Sequence, residues 1–336
     1  MPKVSVILSA YNAEKYIAAA VESILKQTFS GFEFFIVNDA STDKTGEILK
    51  SFTDSRIIII NNPENLGVAV SANRCMDMAK GEYIARMDAD DISLPRRFEL
   101  QVKLLDENPQ TGICGAWLRT IGTGKNYTEK YAQTSGEIKF RMLLENPFAQ
   151  PVIMMRKVFF DKHTLRYEPS YFPSEDYELW ARAIRFFDGA NIPEVLLYYR
   201  IHPENASNTK KEKQMKDTDS IRIMQLKHLV GEINGAEELV FLKLLKKSGG
   251  SGREFIDTAG SLLLKMRTAN AEKKIYEAEY LNPFISSCWS YACKTDFSYG
   301  LKAYAGGLEK LGIKSGLTDK TAQFLKTVKF FLKNRI

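Results

Sequence analysis

Within roughly the first ninety residues, four apolar runs alternate with stretches of helical periodicity, and this alternation constrains the fold more than any other feature of the chain. Residues 3–8 (KVSVIL), 34–37 (FFIV), 56–60 (RIIII) and 82–87 (EYIARM) are short and rich in β-branched side chains, and read as buried strands. Between the first two, Ile17, Val21, Ile24 and Leu25 recur at helical spacing, with Asn12 expected as the cap. The polar turn 38–43 offers Ser41, Thr42 and Asp43 as caps for a helix over 44–52. Val68, Ala72, Cys75, Met76 and Ala79 mark the next helix, and Pro95 opens another with Phe98, Val102 and Leu105 on one face. Strands separated by helices predict an α/β fold with a doubly wound, mainly parallel sheet. Ligands of such sheets bind beyond the C-terminal strand ends. Polar clusters stand at three of those ends, over 9–12, 38–43 and 88–91.

Further along the rhythm changes. Strands are expected over 112–118, 150–155 and 194–200, a hairpin or mobile loop over 119–133, and a short helix near 137–144. Ser174 is expected to cap a helix over 175–187. From 209 a charged linker or helix start (TKKEKQMK) opens a region that reads as helical, with breaks at 247–252 (KSGGSG) and Asn282-Pro283. The expected organisation is therefore a sheet-bearing domain over 1–208 and a mainly helical region over 209–336.

Charge separates the same two parts. Residues 210–336 hold 23 Lys and Arg against 14 Asp and Glu, whereas 1–209 hold 24 against 27, so the basic surplus is C-terminal. An anionic partner such as a membrane surface, or an ordinary solvated lysine-rich face, would account for it. No nucleic-acid-binding motif accompanies it. Cys75, Cys114, Cys288 and Cys293 show no C-x-x-C spacing, which fits reduced, buried thiols. The N-terminus runs directly into a strand and no apolar run reaches membrane-spanning length, so a cytoplasmic location is expected. Oligomeric state is not legible.

The rim chemistry narrows by exclusion. The segment after the first strand, SAYNAEKY, is neither the G-x-G-x-x-G of a dinucleotide fold nor a P-loop. A diphosphate can instead be held through Mn²⁺ or Mg²⁺, which take carboxylate oxygens together with substrate phosphates. Asp88 and Asp90, two apart at a strand end, suit such an ion, whose charge would relieve the crowding of Asp88, Asp90 and Asp91. The same D-x-D also occurs as a plain loop pattern. Asp176, beside Glu175 in a helix first turn, is either a catalytic acid or a partner of the helix dipole. Asn73 and Arg86 are equally readable as donor-pocket groups or as a helix-surface amide and a rim cation.

Five ordered stretches, SVILSAYNAEKYIAAAVESILKQT, FFIVNDASTD, NLGVAVSANRCMDMAKGEYIARMDADD, FPSEDYELWARA and YYRIHPENAS, resemble family 2 inverting glycosyltransferases of the GT-A fold over about residues 3–208. The resemblance implies that Ala10 and Tyr11 pack against a nucleotide base. It implies that Asp39 accepts a hydrogen bond from that base, favouring uracil in a UDP-sugar. Asp88 lies near the ribose and metal, Asp90 ligates the metal, and Asp91 supports that ligand or contacts the donor sugar. Asp176 is the base that deprotonates an acceptor hydroxyl, and His202 contacts metal or diphosphate. A hexosyl or N-acetylhexosaminyl group would pass, with inversion, to a glycan or lipid-linked glycan acceptor. Glu175 stays open between structure and acceptor contact. A nucleotidyltransferase is the rival enzyme, although the Gly- and Arg-rich loop expected of one is missing from SAYNAEKY; a non-catalytic nucleotide-sugar-binding protein would not need both Asp90 and Asp176. Finally, TDKTAQFLKTVKFFLKNRI at the C-terminus has the pattern of a basic amphipathic helix, suited to peripheral contact with a membrane surface or to packing on protein.

Overall fold

The computed structural model describes residues 1–296 together with 299–300, 303–304, 307 and 311. The amphipathic stretch over 318–336 lies outside the described residues. The chain divides into two compact units, Met1–Ile221 and Arg222–Ile336. The division falls inside a long helix, Lys211–Val230.

In chain order the first unit contains β1 (Val4–Ala10), α1 (Ile17–Leu25), β2 (Phe32–Asn38), α2 (Thr45–Lys50), β3 (Ile57–Asn61), α3 (Val68–Met78), β4 (Tyr83–Asp88), β5 (Ile92–Ser93) and α4 (Arg97–Glu107). There follow β6 (Thr111–Gly122), β7 (Thr128–Glu129), α5 (Ser135–Arg141), β8 (Met154–Arg156), α6 (Lys157–Lys162), α7 (Glu175–Ala183), β9 (Asp188–Ile201), α8 (Ala206–Thr209) and α9 (Lys211–Val230), the last of which carries the division between units.

Among the described residues one sheet runs in the order β3-β2-β1-β4-β8-β6-β9-β5, with β7 added on β6. Strands β1 to β4 are mutually parallel. β8 reverses, β6 reverses again, and β9 is parallel to β6, so β6 and β9 run in the direction of β1 to β4. The mainly parallel sheet expected from the alternation is thus present, with its reversals confined to short strands. On β1, Val4, Val6, Leu8 and Ala10 pack with Ile17, Val21 and Ile24 of α1 and Phe98, Val102 and Leu105 of α4. The alternate residues Ser5, Ile7 and Ser9 face the other side, against which α3 packs on β1 and β2. Two buried faces explain why these strands are continuous apolar runs.

Four local expectations need correction. Asn12 does not cap α1; with φ +49 it turns back, and its Oδ1 accepts from Thr42 N–H, tying the β1 and β2 loops together. Residues 150–155 are not one strand: Pro151, which lacks an N–H for the ladder, sits in a 3₁₀ turn (Gln150–Val152), and only Met154–Arg156 pairs. Ser174 precedes α7 without capping it: its hydroxyl accepts no helix N–H, and it donates to Gln214 O at 3.5 Å. Asn282-Pro283 is no break, since Pro283 lies within a continuous helix.

The second unit combines the C-terminal part of α9 with α10 (Gly235–Lys246), α11 (Gly252–Lys273) and α12 (Ala278–Cys293). Its core includes Leu226, Phe241, Leu244, Ile256, Leu263, Met266, Ile285 and Trp289. Asn234 and Glu237 form a reciprocal capping box on α10. The KSGGSG break separates α10 from α11, with Lys247, Gly249 and Gly252 all at positive φ. All four cysteines are buried and unpaired.

Candidate active site

The three polar clusters lie at neighbouring strand ends because β2, β1 and β4 are adjacent and parallel: Ala10 pairs with Asn38, and Ser9 with Asp88. Ala10 is buried, and its carbonyl accepts from Asp39 N–H at 2.8 Å. Tyr11 is half exposed. Asp39, 3 % exposed, caps nothing on α2, where Asp43 takes the Thr45 N–H instead. Its carboxylate reaches across to the entrance of α3, accepting from Asn62 Nδ2 at 2.7 Å, Leu66 N–H at 3.0 Å and Gly67 N–H at 2.8 Å. Three of about four lone-pair positions are thereby occupied, and one is left for a ligand donor.

At the end of β4 the acids separate by exposure. Asp88 and Asp90 keep partly exposed side chains, at 33 % and 25 %. Asp91 is fully buried, with Oδ1 accepting from Arg200 N–H at 2.8 Å. Burial first, then Asp90 and Asp88, holds the Asp91 carboxyl well above the usual range. The bond to Arg200 ties the D-x-D turn to β9. Desolvation pushes Asp88 up to about 6, with Arg86 opposing the shift and Asp90 adding to it.

His202, just beyond β9, comes to Asp90: Nε2 lies 2.8 Å from Asp90 Oδ2, and Nδ1 3.2 Å from Glu204 Oε2. Asn205 Nδ2 approaches the same Asp90 oxygen at 3.4 Å, and Arg200 Nε donates to Asp90 O at 2.8 Å. The β9 end therefore fastens the D-x-D turn from backbone and side chain alike. Tyr16 completes this corner, its ring 5.3 Å from the His202 ring and beneath the Arg200 guanidinium at 4.7 Å.

Asp176 stands in the first turn of α7. Its Oδ1 accepts from Tyr177 N–H at 2.6 Å and its Oδ2 from Asn146 Nδ2 at 2.8 Å. Desolvation pushes its carboxyl up to about 6 against those two donors, and the charge of Asp88 adds to the rise, so the D-x-D and the α7 acid share one electrostatic field. Glu175 is buried, and its Oε2 has no hydrogen-bond partner in the described structure. Burial, then Asp176, pushes Glu175 up to about 8. Both carboxyls are thus held above the usual carboxylate range, Glu175 the higher of the two.

Sequence reasoning passed over several of these groups. Asn146 lies in ENPFAQ, which carries no recognisable motif, while Asn205 stood unread inside PENAS. Asn73 is not a free surface amide: Nδ2 donates to Tyr167 O and Oδ1 accepts from Tyr167 N–H, both at 2.8 Å. Arg86 is not a rim cation, being wholly buried.

A divalent ion fits this donor set in part. Among the described residues no group of three His, Cys, Asp or Glu forms a ready cage. Two partly exposed carboxylates with an adjacent imidazole nonetheless match Mn²⁺ or Mg²⁺, which complete their shells with substrate phosphate and water.

A mainly parallel sheet with acids gathered at its carboxyl rim is the arrangement of the GT-A fold, and the relatives agree. The family model for glycosyl transferase family 2 matches residues 5–165. An uncharacterised glycosyltransferase of Haemophilus influenzae is 34% identical over 244 residues, covering 69% of this chain and 76% of the relative. The Escherichia coli UDP-Glc:alpha-D-GlcNAc-diphosphoundecaprenol beta-1,3-glucosyltransferase WfaP is 29% identical over 236 residues, 68% of this chain and 88% of that protein. In fold, the chain resembles TarS 1-349 of S. aureus, solved with UDP-GlcNAc, at a TM-score of 0.59 and 16% identity, with 91% of this chain and 92% of that chain covered. The chain belongs to glycosyl transferase family 2.

Proposed function

We propose that the protein is a metal-dependent, inverting glycosyltransferase that moves a hexosyl or N-acetylhexosaminyl group from a UDP-sugar to a hydroxyl of a lipid-linked glycan. The observation that carries this reading is the gathering of Asp39 and the D-x-D turn at neighbouring parallel strand ends, with His202 Nε2 2.8 Å from Asp90 Oδ2. Asp39, held rigid by the α3 entrance, presents its free lone pair to the N3–H of uracil, with Ala10 and Tyr11 against the base. Asp88 and Asp90, with His202 beside them, hold Mn²⁺ or Mg²⁺. That ion, when bound, supplies the positive charge that lets a diphosphate leave without protonation.

Asp176 takes the proton of the acceptor hydroxyl as its oxygen bonds to the anomeric carbon. The anomeric C–O bond to the β-phosphate breaks on the opposite face, and its electron pair departs with UDP. A single base suffices, and one displacement inverts the anomeric configuration. The likeness to WfaP supports a UDP-hexose donor and a diphosphoundecaprenol-linked acceptor. A peripheral position at a membrane surface follows from such an acceptor. No helix among the described residues is long and apolar enough to cross a membrane.

The test is transfer from a panel of nucleotide sugars to lipid-linked acceptors, with Mn²⁺ and with chelator, for wild type, Asp90→Ala and Asp176→Asn. UDP binding by calorimetry should strengthen with Mn²⁺ in wild type and lose that gain in D90A. D176N should bind donor normally and turn over about a hundredfold slower or worse, the loss expected for a general base. Equal UDP affinity with metal and with chelator would remove the metal assignment. Near wild-type turnover in D176N would remove the base.

A further inference from the structure

Arg86 is the one residue of β4 whose chemistry the sheet does not explain. Its neighbours Tyr83, Ala85 and Met87 point into the apolar cluster with α1 and α4. Ile84, Arg86 and Asp88 alternate to the other face, with Arg86 opposite Ile7 and Asp88 opposite Ser9 on β1. The Arg86 side chain is 0% exposed, yet none of its three guanidinium nitrogens has a hydrogen-bond partner in the described structure.

Arg97, equally buried, shows what a structural arginine does in this interior. It donates to Gln101 Oε1, Arg86 O and Ile153 O. The Arg86 guanidinium instead lies 5.6 Å from the Tyr167 ring, which Asn73 pins by two backbone hydrogen bonds. Its Nη2 stands 3.6 Å from Asp88 Oδ1. It also acts on Glu175, the buried acid with an unpartnered Oε2. Solvent reaches Asp88 but not Arg86, so the cation lies behind the acid rim and no dissolved anion can touch it. A buried guanidinium without hydrogen bonds is costly to keep, and facing carboxylates are what offset that cost.

We propose that Arg86 is a fixed internal counter-charge of the acid rim, a positioning residue that orients Asp88 and weakens its hold on a bare divalent cation, so that the cation enters together with a nucleoside diphosphate. The proposal rests on the assignment of Asp88 and Asp90 as cation ligands. Its physical basis is sign alone. A positive charge beside a ligand carboxylate repels a lone Mn²⁺ but attracts Mn²⁺ carrying a diphosphate of larger negative charge.

The test is calorimetry of Mn²⁺ alone, and of UDP with Mn²⁺, on wild type, Arg86→Met, Arg86→Gln and Arg86→Lys, each checked for folding by circular dichroism. The neutral variants should bind bare Mn²⁺ about tenfold more tightly than wild type and Mn²⁺-UDP more weakly, while R86K stays near wild type on both. A merely structural role cannot tighten metal binding. Unchanged or weaker Mn²⁺ binding in folded R86M and R86Q would overturn the proposal. Failure of both neutral variants to fold would also overturn it, since Arg86 would then belong to the fold rather than to the rim. Absence of any Mn²⁺-dependent gain in UDP affinity in wild type would remove the metal assignment, and this inference with it.

Discussion

At the residue scale the site is governed by which carboxylates keep their protons. Asp176 has to be ionised to act as a base, and burial has pushed it up to about 6. Activity is therefore expected to rise as pH passes upward through about 6. Asn146 Nδ2 donates to Asp176 Oδ2 and so favours the ionised form. Asn146→Ala removes that donor, raises the carboxyl further, and is expected to move the acid limb of the kcat profile to higher pH while the plateau changes less. A limb that stays in place would show that another group controls it. Asp39, Asp88, Asp90, Asp176 and His202 were all legible as candidates because each stands at the end of a recognisable strand or in a motif. Asn146 was not, for its only signal is the hydrogen bond it makes across 30 positions of chain. Arg86 was visible as a charge, but a strand pattern does not tell a buried arginine from one at a rim.

At the element scale the loops are set by backbone conformations that few residues tolerate. Gly67 enters α3 at φ +84 and ψ 162, and this turn delivers the Leu66 and Gly67 N–H groups to Asp39. Gly67→Ala leaves open space for its Cβ, so the cost is conformational alone. It is expected at about 1–3 kcal/mol of stability, read from the urea midpoint, together with weaker UDP binding because Asp39 loses its anchor. An unchanged midpoint would mean that the loop reaches Asp39 in another conformation. The strands and helices themselves followed from apolar periodicity because both sheet faces are buried. The failures were at boundaries. Asn12 and Ser174 have the chemistry of caps, but neither accepts an N–H of the helix that follows it; Asn12 Oδ1 accepts from Thr42 instead, and the Ser174 hydroxyl donates to Gln214 O. Pro283 was read as a break, yet the helix continues through it.

At the scale of the whole molecule the chain joins a slightly acidic catalytic unit to a basic helical part, and the C-terminal pattern suggests what the basic part is for. Phe324, Leu325, Val328, Phe331 and Leu332 recur in the sequence at helical spacing, with Lys326, Lys329, Lys333 and Arg335 supplying charge. A helix of that pattern would suit a membrane interface, where each basic residue near an anionic leaflet adds roughly 1 kcal/mol. Four of them would give reversible attachment that weakens as salt screens it. An enzyme whose acceptor is lipid-linked gains from this, because confinement to the surface replaces a search through bulk solution. Full-length protein is expected to co-sediment with anionic vesicles at low salt and to be released at high salt, whereas a chain ending before Thr318 should stay in the supernatant at both. The truncated chain should keep its affinity for UDP, since Asp39, Asp88 and Asp90 all lie in the first unit. Equal and negligible sedimentation of the two chains would assign the apolar stripe to packing on protein instead, and the lipid-linked acceptor would then have to reach the site without help from the C-terminus.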